Sequence, residues 1–138
     1  MIKKIFRGGM ATGLVLLLAH LLMSFLFAAL APQVMLEYQN TALFRSWDDP
    51  LMSLYFGYPF ILGLGLSYAW ENIKSVLTGS EGQKILKFSF SYFLMATIPG
   101  MLITYSSFQV SLLIVLSWTA FGFIDAMLAA LTLSRLNK

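Results

Sequence analysis

Two ionisable side chains stand inside long apolar runs, and chemistry would start from them. Asp125 lies in the run from Val110 to Leu133. A carboxyl at such depth in a membrane span costs about 3 kcal/mol on insertion scales, so Asp125 must face protein or water. It suits a cation or proton site, and it equally suits a hydrogen-bonded acid that clamps helices together. The clamp has the smaller requirement, one nearby donor. His20 lies near the middle of the first apolar run. Counting inward from the ends of the two runs puts His20 within one helical turn of Asp125 in depth, so the two side chains can meet. Such a pair is half of a proton relay, or a polar clamp between the first and last helices.

The rest of the inventory narrows the chemistry. With no cysteine and a single histidine, the chain has no disulfide, zinc–thiolate or iron–sulfur option. Haem or copper at His20 would need a ligand from another chain, so neither a metal nor a cofactor is expected. There is no P-loop, dinucleotide fingerprint, nucleophile elbow or HExxH, and a hydrolytic triad would rest entirely on a histidine in mid-membrane. Enzyme activity is not expected. Glu71, Tyr68 and Thr97 are secondary polar candidates. Glu71 reads best as an i,i+3 ion pair with Lys74, while the hydroxyls of Tyr68, Thr97 and nearby serines could line a polar seam or bond their own backbone.

These residues need helices to hold them. The chain is 59% hydrophobic and only 11% charged, with mean hydropathy +0.79, too little polar surface for a water-soluble domain of 138 residues. Four apolar runs read as spans over 8–31, 51–74, 85–107 and 109–133, each long enough for hydrocarbon about 30 Å thick at about 1.5 Å per residue. The first run imitates a secretory signal, but it exceeds the usual core length and Pro32 follows the small residues at its end. Asp49-Pro50 supplies a cap and first-turn proline for the second span. Gly79 suits a left-handed C-cap, and Ser80-Glu81-Gly82-Gln83 has capping-box spacing, giving a tight turn over 78–84. Ser106, Ser107 and Gln109 suit a turn and cap between the third and fourth spans. Pro59 and Pro99 should kink the helices that contain them.

Lys3, Lys4, Arg7, Lys74, Lys84, Lys87, Arg135 and Lys138 all fall on one side if four helices alternate in direction, leaving Arg45 alone on the other. The expected fold is therefore an all-α, four-transmembrane-helix antiparallel bundle forming a single domain over 1–138, with both termini cytoplasmic. The basic pI follows from these flanking lysines and arginines and implies membrane orientation, not nucleic acid. The external loop 32–50 mixes apolar and charged residues. It reads as a membrane-surface helix anchored by Trp47, with Tyr55 and Tyr58 in an aromatic belt; a lid or docking surface is the functional alternative. Gly122, Ala126 and Ala130 recur every fourth residue and Gly9 and Gly13 form a GxxxG, so both faces permit close helix approach, internally or in a homodimer. Gly63 and Gly65 read as a hinge or as room for a bulky neighbour.

The stretch from Glu71 to Lys87, with its basic glycine-containing turn, and Gly122-Phe123-Ile124-Asp125-Ala126-Met127-Leu128-Ala129-Ala130-Leu131 resemble a group of small, uncharacterised four-helix prokaryotic membrane proteins whose last helix carries an acid after a glycine. That resemblance implies the four-helix topology and no activity. The expectation from sequence is a structural or accessory protein of the prokaryotic cytoplasmic membrane, with lipid, another membrane protein or a second copy as partner. The competing expectation is a small oligomeric transporter or proton- or ion-conducting subunit using Asp125 and His20. Four short spans leave little room for a midplane cavity, which weighs against transport; access to Asp125 separates the two.

Overall fold

The computed structural model describes residues 1–136, so Lys138 lies outside it. Six α-helices run in the order α1 (Ile2–Leu30), α2 (Pro32–Tyr38), α3 (Leu54–Ile73), α4 (Glu81–Tyr92), α5 (Ile98–Ser107) and α6 (Leu112–Leu136). A 3-10 turn, Pro50–Ser53, leads into α3, and a π-helical turn, Phe93–Thr97, joins α4 to α5. The result is four helical stretches, 2–30, 50–73, 81–107 and 112–136, each long and apolar enough to cross a membrane.

Local chemistry sets most of the boundaries. Asp49 accepts a hydrogen bond from the Leu51 amide at 2.9 Å, capping the turn that starts α3. Ser80 and Gln83 form the reciprocal capping box of α4, and Gly79 takes the left-handed conformation, φ 111°, that ends the preceding segment. The turn before α6 differs from the sequence expectation. Ser106 and Ser107 stay within the helix, Gln109 caps nothing, and the last span begins at Leu112 instead of 109. Ser111 is the cap, its hydroxyl accepting from the Ile114 amide, and its own amide donates to the Glu37 carboxylate at 2.7 Å. A carboxylate there also meets the positive end of the α6 dipole.

Both interior prolines are accommodated without breaking a span. α3 remains helical through Pro59, which is fully buried. Pro99 has no amide to donate and crowds the carbonyl four residues earlier. The helix widens into the π turn immediately before it, which changes the register between α4 and α5.

Two contacts organise the interior. α1 and α3 meet backbone to backbone: a Cβ on Gly63 would lie 2.5 Å from the Gly9 carbonyl oxygen, and one on Gly13 would lie 2.7 Å from the Phe60 Cα. Gly63 is thus the third member of the Gly9, Gly13 contact and no hinge, while nothing lies near Gly65. The second contact joins α3, α4 and α6 through Leu66, Trp70, Ile85, Phe88, Ala129, Ala130 and Leu133, with Trp70 and Phe88 edge to face at 5.2 Å. Ala126 is fully buried as well. Ala126→Leu should therefore lower stability by about 1–3 kcal/mol through overpacking, and by more than Leu128→Ala, whose side chain is only half-buried. Melting of the two variants in detergent checks the order.

Loop 32–50 is not a surface helix along its length. Only Pro32–Tyr38 is helical, turned away from α1 at Ala31, and the remainder folds back over the end of the bundle. Val34 is 1% exposed, Tyr38 packs against Phe44 and Trp118, and the Trp118 indole N–H donates to the Tyr38 hydroxyl. Trp47 is exposed and meets Tyr55 edge to face.

Candidate functional site

α1 and α6 bring His20 and Asp125 together. His20 Nε2 lies 2.9 Å from Asp125 Oδ2 and 3.1 Å from Oδ1, and the carboxylate is almost sealed from the surface, with 7% of its side chain exposed. In the neutral tautomer that places its proton on Nε2, toward the carboxylate, the ring keeps Nδ1 as an acceptor. Nδ1 makes no hydrogen bond within the described residues. The Tyr58 ring lies nearly parallel to the imidazole, at 14° with centroids 6.2 Å apart.

The pair forms the floor of a cavity of about 590 Å³ that extends toward loop 32–50. That volume is larger than the little room expected of four short spans. It lies in the range of small-molecule sites, and its lining is of the same kind, largely aromatic side chains and methionines with a few polar groups. Tyr58, Tyr92 and Trp118 contribute rings, Met23, Met52 and Met101 contribute adaptable thioethers, and Thr97 contributes a hydroxyl that makes no hydrogen bond within the described residues. Val34, Tyr38 and Phe44 of the loop form part of the wall.

The sequence candidates divide accordingly. Asp125, His20 and Thr97 line the cavity. Gly122 lines it too, and a Cβ there would lie 2.5 Å from Thr97 Cγ2, so the glycine lets the π turn settle against α6. Tyr68 is 59% exposed and lies away from the cavity, and Glu71 is held by Lys74 at 2.7 Å, also away from it. Ser89 and Ser91 donate to the carbonyls of Ile85 and Lys87 one turn earlier in α4, whereas the hydroxyls of Thr12 and Ser67 are buried without a partner among the described residues. Tyr58 also lines the cavity, and its i,i+4 neighbours on α3 carried no polar signal that could have shown this. Tyr38 and Glu37 are found only through tertiary contacts. Burial raises the Tyr38 hydroxyl pKa above its ordinary value, partly offset by the Trp118 hydrogen bond. Among the described residues no three His, Cys, Asp or Glu side chains are grouped to hold a metal ion.

Fold and site together define a small four-span helical protein with a ligand-sized cavity ending on an Asp–His pair. Comparisons with protein-family models, curated proteins and solved structures give no match.

Proposed function

We infer that this chain binds a small amphipathic molecule within the membrane, using Asp125 and His20 as the polar anchor. The cavity carries the reading, since it reaches the buried pair from one end of the bundle. A pair needed only to clamp helices would be better packed round with Leu, Met and Phe than opened to a space of this size. On the other side of the pair Leu16, Ala129 and Leu133 are fully buried, which favours binding from one side over conduction through the bundle. The role is binding or transfer of the ligand, without catalysis.

The proposed arrangement is antiparallel with both termini cytoplasmic, in the cytoplasmic membrane of a prokaryote. Gly9 beside Leu64 and Gly13 beside Phe60 support opposed directions for α1 and α3, and the basic residues support the orientation. The cavity then lies toward the external side. Reporter fusions within 80–83 should read cytoplasmic and one near Asn40 external.

Melting in detergent against a panel of amphipathic compounds tests the binding reading. Compounds that raise the Tm of the wild-type chain should lose that effect on the double variant His20→Leu with Asp125→Leu and keep it on Leu128→Ala, whose site lies outside the cavity. If every stabilising compound acts equally on the double variant, the pair is not the anchor.

A further inference from the structure

The cavity is walled unevenly. α1 and α6 form the side that carries His20 and Asp125. The loop end is covered, because Val34, Tyr38 and Phe44 lie across it and Glu37 and Tyr38 pin the loop to Ser111 and Trp118 of the last span. Between Tyr55 and Tyr58 of α3 and Ala96 and Met101 of the π turn and α5, the wall is a seam. α5 packs on α6 and makes no contact with α3 comparable to those between the packed helix pairs. Tyr58 is 51% exposed and Ala96 is exposed, so the seam opens sideways from the bundle, where a membrane offers lipid and not water. The π turn before Pro99 sets the course of α5 and hence of this opening.

The floor specifies the other end of the ligand. His20 Nδ1, without a hydrogen bond among the described residues, can accept one while Asp125 holds the opposite nitrogen, and the surrounding rings favour a flat aromatic group. Resting on the binding reading above, we propose that the cavity takes a lipid-soluble phenol or hydroquinone from the bilayer through the seam between α3 and α5. Its ring hydroxyl donates to His20 Nδ1, and its apolar substituent lies along the methionine and tyrosine walls toward lipid. No bond is made or broken.

Trp47 and Trp118 line the cavity, so quenching of intrinsic fluorescence in nanodiscs follows binding directly. The probes are a short-chain prenylated hydroquinone, its O-dimethyl ether, which keeps the ring but has no donor, and benzyltrimethylammonium, a water-soluble aromatic cation. The hydroquinone should quench saturably and bind about tenfold more tightly than the ether, and His20→Phe should abolish that difference. Ala96→Phe places a ring on the lip of the seam at an exposed position, so it should fold normally and slow association about tenfold or more. Equal binding of hydroquinone and ether overturns the donor assignment, and unchanged association in Ala96→Phe overturns lateral entry. Asp125-dependent binding of the cation without hydroquinone binding overturns this inference while leaving the anchor role of the pair intact. Failure of all three probes, with compounds of the melting panel still acting through Asp125, overturns the ligand class alone.

Discussion

Replacing Asp125 by leucine should destabilise the chain by about 1–3 kcal/mol, whereas replacing both members of the pair, His20→Leu with Asp125→Leu, should recover most or all of that loss. The single change leaves a part-buried imidazole N–H without its acceptor, and among the described residues nothing else hydrogen-bonds to Nε2. The double change removes both desolvation penalties and supplies apolar volume to an apolar bundle. Asp125→Asn should fold close to normally, because its amide oxygen still accepts from Nε2. Melting of these four chains separates purposes: a double variant as stable as wild type that no longer binds ligand marks a pair kept for the ligand. A double variant as damaged as the single one would make the pair a structural element.

A second large effect is expected at Gly63. Even Gly63→Ala puts a Cβ 2.5 Å from the Gly9 oxygen and 2.7 Å from the Gly13 nitrogen, and both are backbone atoms that no rotamer change can move aside. α1 and α3 must separate, at a cost of about 1–3 kcal/mol for Ala and more for Leu, which spreads the contact along several turns. Gly65→Ala, with nothing within 4 Å, is the matched control and should gain slightly from helix propensity. Thermal melting in the same detergent reads both, and equal behaviour of the two would remove the close approach from the account of stability.

The spans, caps and capping box were legible because each rests on neighbours in sequence: Asp49 with Leu51, Ser80 with Gln83, Glu71 with Lys74. The meeting of His20 and Asp125 was legible for a different reason, since a charged group inside hydrocarbon needs a partner and depth can be counted along a helix. What stayed hidden depends on rotation and tertiary contact. Nothing local told Gly63 from Gly65, although only the first faces α1. Tyr58 and Tyr68 are both hydroxylated residues on α3, yet one lies beside His20 and the other points outward. The path of loop 32–50 rests on Glu37 finding Ser111 and Tyr38 finding Trp118, partners more than 70 residues away. Pro99 signalled a distortion, but not its form as a π turn whose Thr97 packs against Gly122 of the last helix.

Access to the floor of the cavity is the most direct test of the binding account, and the absence of cysteine makes it simple to measure. Ser117→Cys places a thiol on the cavity wall, and Ala129→Cys places one at a fully buried position in the helix core. In nanodiscs, N-ethylmaleimide should modify the first and leave the second untouched until the protein is denatured, and a compound that stabilises the wild-type chain through Asp125 should protect the first. Equal resistance of both thiols, or labelling of Ser117→Cys that no stabilising compound slows, would contradict a ligand cavity ending on Asp125 and His20.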